Sequence, residues 1–281
     1  MAQSTKNEVK QLINGIKASD GDGVQLTRLI GNAELMQLDP FLLFDAFGSD
    51  QPQDYIGGFP PHPHRGFETV TYMLAGKMRH QDSVGNSGVI TKDGVQWMTA
   101  GKGIIHSEMP EQEQGLLAGF QLWVNLPAKD KMTAPKYQEH SEDNIPQETR
   151  EFSTVKVIAG VTKQGTTGII DNKTTAPLYW DIKLNKQQNF SDVIPSTHNG
   201  FIYVINGELI VGEQQTKVAK GQIATLTTGK MFTVNATQDS RFLLIAGKPL
   251  NEPVERAGPF VMNTRKEIEQ AFADYQHGVL A

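Results

Sequence analysis

The stretch HPHRGFETV occupies residues 62–70 and contains two histidines, His62 and His64, at positions i and i+2. On a β-strand alternate side chains point to the same face, so these imidazoles would lie about 6.6 to 7 Å apart along the strand. A second pair with the same spacing, His106 and Glu108, follows further along the chain. Two neighbouring strands that each present such a pair can bring four ligand atoms to one point. The two pairs therefore predict a metal site.

Three imidazoles and one carboxylate form a mixed nitrogen and oxygen ligand set. Such a set suits Fe, Mn, Ni, Cu or Zn, whereas Ca and Mg prefer oxygen ligands. A single His-x-His pair is weak evidence, because it is more often a surface or core pair than a site. The second pair, and the glycine-rich loops before both, favour metal binding. The chain contains no cysteine, which excludes disulfides, thiolate ligands and thiol catalysis.

Length and composition limit the possible partners. A chain of 281 residues favours about two domains, and its hydrophobic fraction of 38% is enough for ordinary cores. The formal net charge is −5 and lysines and arginines do not cluster, so direct nucleic-acid binding is not expected. The pattern of a signal peptide is absent, and no apolar run approaches the roughly 18 residues of a membrane helix. These features predict a soluble, cytoplasmic protein without a membrane partner.

The pattern of apolar runs divides the chain into two β-rich regions. From residue 24 to 125 short apolar runs alternate with Gly, Asn and Asp, which is typical of an all-β domain. A similar region runs from about residue 154 to 245. Residues 127–150 contain three prolines in a polar, charged stretch, which indicates an inter-domain linker.

Short helices are predicted at both ends of the chain. Residues 5–17 begin with the capping box TKNE and carry apolar side chains at i, i+3, i+4 and i+7, although Gly15 weakens this prediction. A second capping box, TRKE, begins at Thr264, and Gly278 stands where a C′ residue belongs. We expect the apolar face of the second helix to pack against a β domain.

An internal repeat relates the two β-rich regions. The segment YMLAG at residues 72–76 aligns with YVING at residues 203–207, and Gly103 likewise aligns with Gly221. We therefore expect a duplicated barrel with a metal in the first copy alone. In this alignment the four proposed ligands, taken in chain order, fall on Val193, Pro195, Ala224 and Leu226.

The spacing of Gly57, His62, His64, Glu68 and Gly76 resembles the first cupin motif, and the segment from Gly103 to His106 resembles the second. A closer resemblance is to the pirin family of bicupins. Five blocks of sequence carry it: LDPFLL at 38–43, HPHRGFETV at 62–70, GIIHSE at 103–108, WVNLP at 123–127 and GPFVMNT at 258–264.

This resemblance implies an all-β fold of two stacked cupin barrels of the jelly-roll type, with short N- and C-terminal helices. It implies one divalent transition metal, Fe(II), bound by His62, His64, His106 and Glu108. Glu68 is the alternative carboxylate, because in many cupins the Glu after His-x-His is the ligand; the pirin pattern favours Glu108. The expected parts are an N-terminal barrel with the metal site at residues 1–138, a C-terminal barrel without ligands at 139–262, and a helix on the barrels at 263–281.

The resemblance also implies a function. Bacterial pirin-like proteins are associated with quercetin 2,3-dioxygenase activity, in which the flavonol 3-hydroxyl loses its proton, O2 adds to the ring and carbon monoxide is released. Glu108 is the candidate base for that proton. An open apolar pocket above the metal, large enough for a three-ring flavonol, would favour this function.

The alternative is an iron-containing regulator that binds a transcription factor or a metabolic enzyme without physiological turnover. A third possibility is another cupin activity, such as an isomerase or a metal-free binder. Fold and ligands are shared among these functions, so the sequence does not decide between them.

Four further polar residues are assigned other roles. Arg65 would face away from the two histidines beside it on a regular strand, so we expect a structural ion pair rather than a substrate clamp. His80, His140 and His277 lie in polar stretches and are expected to be surface histidines.

Overall fold

A computed structural model describes residues 6–281 of the chain. Within that range the chain forms antiparallel β-strands and one α-helix, α1 (Arg265–Gln276). Single turns of 3₁₀ helix lie at Pro52–Asp54, Ala128–Asp130 and Glu142–Asn144. In chain order the strands are β1 (Val9–Ile13), β2 (Ile16–Asp20), β3 (Val24–Ile30), β4 (Phe41–Ser49), β5 (Phe59–His64), β6 (Phe67–Ala75), β7 (Met78–Asp82), β8 (Ser87–Ile90), β9 (Val95–Thr99), β10 (Ile104–Pro110), β11 (Leu117–Asn125), β12 (Lys136–His140), β13 (Gln147–Thr149), β14 (Ser153–Ala159), β15 (Leu178–Leu184), β16 (Asn189–Val193), β17 (Asn199–Asn206), β18 (Glu208–Val211), β19 (Thr216–Ala219), β20 (Ile223–Leu226), β21 (Met231–Ala236), β22 (Ser240–Gly247), β23 (Glu255–Ala257) and β24 (Phe260–Met262).

The chain divides into two compact units whose sequences interleave. We call them the first barrel, made of residues 16–37, 41–143 and 250–281, and the second barrel, made of residues 6–15, 38–40 and 144–249. These ranges differ from the predicted domains at both ends of the chain. The N-terminal strand belongs to the second barrel, and the residues after 249 return to the first.

Two antiparallel sheets form the first barrel. The seven-stranded sheet has the order β12-β9-β6-β11-β4-β3-β2, and the four-stranded sheet has the order β5-β10-β7-β8. In the smaller sheet β10 lies between β5 and β7, with His106 opposite His62 and Ile104 opposite His64. The pairing register shifts between His106 and Glu108, so Glu108 lies opposite Phe59. This sheet positions all four predicted ligands.

The second barrel repeats this strand order. Its sheets run β1-β20-β17-β22-β15-β14-β13 and β16-β21-β18-β19, so β17 is the counterpart of β6 and β21 the counterpart of β10. Gly76 and Gly207, which the sequence alignment pairs, directly follow β6 and β17 and have positive φ values, 81° and 84°. The alignment of Gly103 with Gly221 is wrong by one strand, because Ala224 lies on β20, the counterpart of β9 rather than of β10.

An apolar core fills the second barrel. On β16 and β21, the counterparts of β5 and β10, Phe190 and Phe232 are buried in this core. Their ring centroids lie 6.1 Å and 6.4 Å from that of Phe242. The counterparts of the strands that carry histidines in the first barrel therefore carry packed aromatic side chains in the second.

The predicted N-terminal helix is wrong for the described residues, and Thr5 of its capping box lies outside them. Residues 9–13 form β1 and residues 16–20 form β2, with Gly15 between them at a φ of 74°. β1 pairs with β20 at the edge of the second barrel's larger sheet. An unpaired sheet edge offers a row of backbone donors and acceptors, and pairing with them outweighs a weak local helix preference.

The C-terminal helix and the all-β character of the rest are confirmed. Thr264 accepts a hydrogen bond from the backbone N–H of Glu267, and the Glu267 carboxylate accepts one from the backbone N–H of Thr264. Ile268 and Ala271 of α1 are buried in a cluster with Phe260 of β24. Among residues 6–281 no helix has the length and apolar character needed to span a bilayer. The cytoplasmic location stays a prediction.

Candidate metal centre

Three imidazoles meet on the four-stranded sheet of the first barrel, and we call His62, His64 and His106 the histidine triad. Each offers a ring nitrogen, and these nitrogens all lie within 4.8 Å of one another. The ring centroids are 4.3 Å to 5.0 Å apart. The pairing of β5 with β10 produces this convergence, as the spacing in the sequence predicts.

Two rings of the triad are prepared to bind a cation as neutral imidazoles. Burial, followed by the charge of neighbouring histidines, lowers the pKa of His64 and of His106 well below the ordinary value. Both ring nitrogens of His106 are buried and have no hydrogen-bond partner. Buried polar atoms are normally paired, and a bound metal would satisfy one of these two. The residues therefore fit a divalent transition metal, for which imidazole is a common ligand.

Backbone carbonyls orient the other two rings. Nδ1 of His62 lies 2.8 Å from the carbonyl oxygen of Pro60, and Nδ1 of His64 lies 3.3 Å from that of Pro259. A carbonyl oxygen only accepts hydrogen bonds, so both Nδ1 atoms carry the proton. Such a contact fixes the tautomer of a metal-binding histidine. The two Nε2 atoms face each other at 3.0 Å, as two ligand atoms of one cation do.

Glu108 is buried on the same strand as His106 but contacts other polar groups. Its Oε1 accepts a hydrogen bond from the hydroxyl of Thr71 at 2.6 Å, and its Oε2 accepts one from the amide of Gln121 at 3.2 Å. The converging ligand atoms within residues 6–281 come from the three histidines. The role of Glu108 as the fourth ligand therefore stays a prediction.

Glu68, the alternative carboxylate, lies on β6 in the larger sheet. It is buried and accepts a hydrogen bond from the hydroxyl of Thr99 at 2.8 Å. The cavity beside the triad is lined by Glu108 and not by Glu68. The choice of Glu108 over Glu68 stays a prediction.

His80 is not a surface histidine, and that prediction is wrong. Its side chain is fully buried, its ring centroid lies 5.3 Å from that of His106, and its Nε2 lies 3.1 Å from the carboxylate of Asp82. Its polar neighbours in the sequence concealed the alternation of β7, in which Met78 and His80 both face inward. His140 is half-buried and His277 is exposed.

Two cationic side chains, Arg65 and Lys131, stabilise the loop between β5 and β6. The buried Arg65 forms an ion pair with the partly exposed Asp274 of α1, with 2.7 Å between Nη1 and Oδ2, so the prediction of a structural ion pair is confirmed. Lys131, which sequence reasoning missed, donates to the carbonyl oxygens of Gly66 at 2.7 Å and Val261 at 3.0 Å, and to the side-chain oxygen of Asn125 at 2.7 Å. Burial lowers the pKa of Lys131 to about 8, so at pH 7 the ammonium form can still donate all three bonds.

A cavity of about 590 Å³ opens beside the triad. His62, His64 and Glu108 contribute to its wall. Its volume falls within the range of about 300 to 1,000 Å³ that is usual for small-molecule sites. The cavity therefore offers room for an organic ligand next to the histidine triad. Its apolar side chains include Leu26, Leu43, Phe47, Phe59 and Trp123.

The fold and the site together define a bicupin in which one barrel carries a three-histidine centre beside an apolar cavity. Comparison with known families agrees with this class. The Pirin family matches residues 23–124, and the Pirin C-terminal cupin domain matches residues 179–281. The chain therefore belongs to the pirin family, as its sequence blocks predict.

Similar proteins come from distant organisms. A pirin-like protein of Caulobacter vibrioides is 50% identical, over 96% of this chain and 98% of its own. The pirin of Mus musculus is 44% identical, over 99% of this chain and 94% of its own. A crystal structure of a quercetin 2,3-dioxygenase from Acinetobacter baumannii superimposes with a TM-score of 0.90 at 35% identity, covering 98% of this chain and 99% of that one. The similarity extends through both barrels.

Proposed function

We propose that this protein is a metal-dependent dioxygenase that acts on flavonols such as quercetin. The observation that carries the proposal is the largely apolar cavity of about 590 Å³ that His62 and His64 help to line. A flat, three-ring substrate needs such a space with its reactive oxygen directed at the metal. The structural similarity to a solved quercetin 2,3-dioxygenase at 35% identity supports the same activity.

The triad would bind one Fe(II), with Glu108 as the fourth ligand. A metal in this position supplies Lewis acidity and one-electron chemistry for the reaction with dioxygen. The Nε2 atoms of His62 and His64, which lie 3.0 Å apart, are the atoms of these two rings that would bind the cation.

The remaining residues bind the substrate and move its proton. Phe59 offers aromatic surface to the flavonol rings, and Phe59 and Trp123 exclude water from the site. Glu108 would take the proton of the 3-hydroxyl group. Its Oε2, with the longer hydrogen bond of 3.2 Å, is the freer oxygen for this transfer, while Thr71 holds Oε1 at 2.6 Å.

The test is aerobic turnover of quercetin by protein reconstituted with Fe(II), with metal content measured on the same samples. We expect the flavonol absorbance to fall and carbon monoxide to be released. The double variant His62→Ala/His64→Ala serves as the control and should be inactive and metal-poor. A metal-loaded protein without turnover would contradict the proposal and favour the iron-containing regulator that binds a protein partner.

A further inference from the structure

Arg256 of β23 brings a positive charge to the cavity beside the triad. Its guanidinium carbon lies 4.6 Å from the ring centroid of Trp123, and both residues line the cavity. The Trp123 ring in turn lies 5.2 Å from the ring of His64. One aromatic side chain therefore contacts both the arginine and a predicted metal ligand.

Two carboxylates of the cavity wall, those of Asp20 and Asp45, are already paired with another cation. Arg28 donates to both carboxylate oxygens of Asp45, at 3.0 Å and 2.7 Å, and to Asp20 at 2.8 Å. Arg256 itself has one long hydrogen bond, of 3.4 Å, to the carbonyl oxygen of Leu42. Across residues 6–281 it takes part in no ion pair and most of its donors are free of hydrogen bonds, although Asp45 and Asp20 are near enough to interact with its charge.

The position of Arg256 is suited to bind an anionic ligand in the cavity. Its side chain is exposed, so an anion that enters the cavity can reach it. Contact with Trp123 restrains the planar guanidinium before any ligand binds, which reduces the entropy lost on binding. A guanidinium also presents parallel N–H donors that match the two oxygens of a carboxylate.

We propose that Arg256 selects aromatic substrates that carry an anionic oxygen substituent away from the metal. The ring system would occupy the apolar part of the cavity, and the anionic group would pair with the guanidinium. This inference deepens the proposed function, since it concerns the substrate of the same site. It makes Arg256 a specificity-determining residue that discriminates charged ligands from neutral ligands of the same shape.

The test is equilibrium binding to Fe(II)-loaded protein without dioxygen, measured by isothermal titration calorimetry. The probes are 3-hydroxyflavones with a carboxylate at the 4′ or the 6 position, each compared with the uncharged carboxamide. All share the 3-hydroxyl and 4-keto groups, so they differ only at the remote substituent. For at least one position we expect the wild-type protein to bind the acid about fivefold more tightly than the amide, as for a partly exposed ion pair with good geometry.

Three variants separate charge from packing. Arg256→Met keeps an aliphatic stem over Trp123 and should bind acid and amide equally. Arg256→Lys keeps the charge without the planar donors and should retain part of the preference. Arg79→Met removes an exposed cation that pairs with Glu111 outside the cavity, and should behave as the wild type does.

Equal binding of acid and amide by the wild type at both positions would overturn the inference. So would an unchanged preference in Arg256→Met, or no binding of any of the four probes. These outcomes are distinct from failure of the proposed function. Turnover can be absent while the charge preference remains, and the preference can be absent while quercetin is still consumed.

Discussion

Single residues of the site differ in how firmly their surroundings restrain them. Carbonyl oxygens of Pro60 and Pro259 orient His62 and His64, whereas neither ring nitrogen of His106 has a hydrogen-bond partner. The two oxygens of Glu108 are each held by a neutral donor. The carboxylate can therefore turn or accept a proton without breaking an ion pair.

Replacing Glu108 by Gln tests its role as the base. The amide removes the proton acceptor and preserves the size of the side chain, so we expect kcat for quercetin to fall about 10²-fold or more. Metal content should fall less, because the triad is intact. The checks are turnover and metal analysis of the same preparation, and full activity with metal bound would show that Glu108 is not the base.

At the scale of the secondary-structure elements, the site depends on the loop that joins β5 to β6. Gly66 in this loop has a φ of 89°, and a Cβ atom there would lie 2.0 Å from the carbonyl oxygen of Val261. The ammonium of Lys131 donates to that same carbonyl oxygen and to the one of Gly66. A buried cation thus holds together two backbone segments beside the last residue of β5.

The variant Lys131→Met should destabilise the protein by about 2 to 4 kcal/mol, because buried acceptors would lose their donor. Denaturation in urea measures the free energy of unfolding. Lys129→Met, at an exposed position two residues earlier, is the matched control and should change it by less than about 0.5 kcal/mol. Similar losses in both variants would mean that the hydrogen bonds of Lys131 do not stabilise the fold.

The elements also show which features the sequence could predict. The ligand pairs on β5 and β10 follow a period of two and need only neighbouring strands, and the capping box of α1 is local. By contrast, β1 pairs with β20 about two hundred residues later in the chain, which no local pattern reveals. The burial of His80 could not be predicted for a similar reason, since it results from the pairing of β10 with β7.

For the whole molecule, the main feature is that the chain returns to the first barrel after completing the second. Residues 250–281 belong to the first barrel and supply the carbonyl oxygen of Pro259 to His64, Asp274 to Arg65, and Arg256 to the cavity. None of these contributions could be located from the sequence, because each depends on which barrel receives the C-terminal segment.

Removal of residues 250–281 should therefore weaken metal binding, although every predicted ligand would remain. We expect at least a tenfold loss of Fe(II) affinity, the size of effect seen when contacts that orient metal-binding histidines are lost. Anaerobic equilibrium dialysis measures this affinity. A chain without residues 1–15, whose described part belongs to the second barrel, is the control. Equal affinity of the C-terminally shortened and full-length chains would contradict the prediction.

The return of the chain also sets an order of events during biosynthesis. Domains generally fold as they leave the ribosome, beginning with the N-terminal one. Here residues 62–108 emerge early, whereas Arg256, Pro259 and Asp274 emerge only after the whole of the second barrel. The cavity is therefore completed only after the second barrel has been synthesised, and a polypeptide interrupted before that point would carry the histidines without the complete cavity around them.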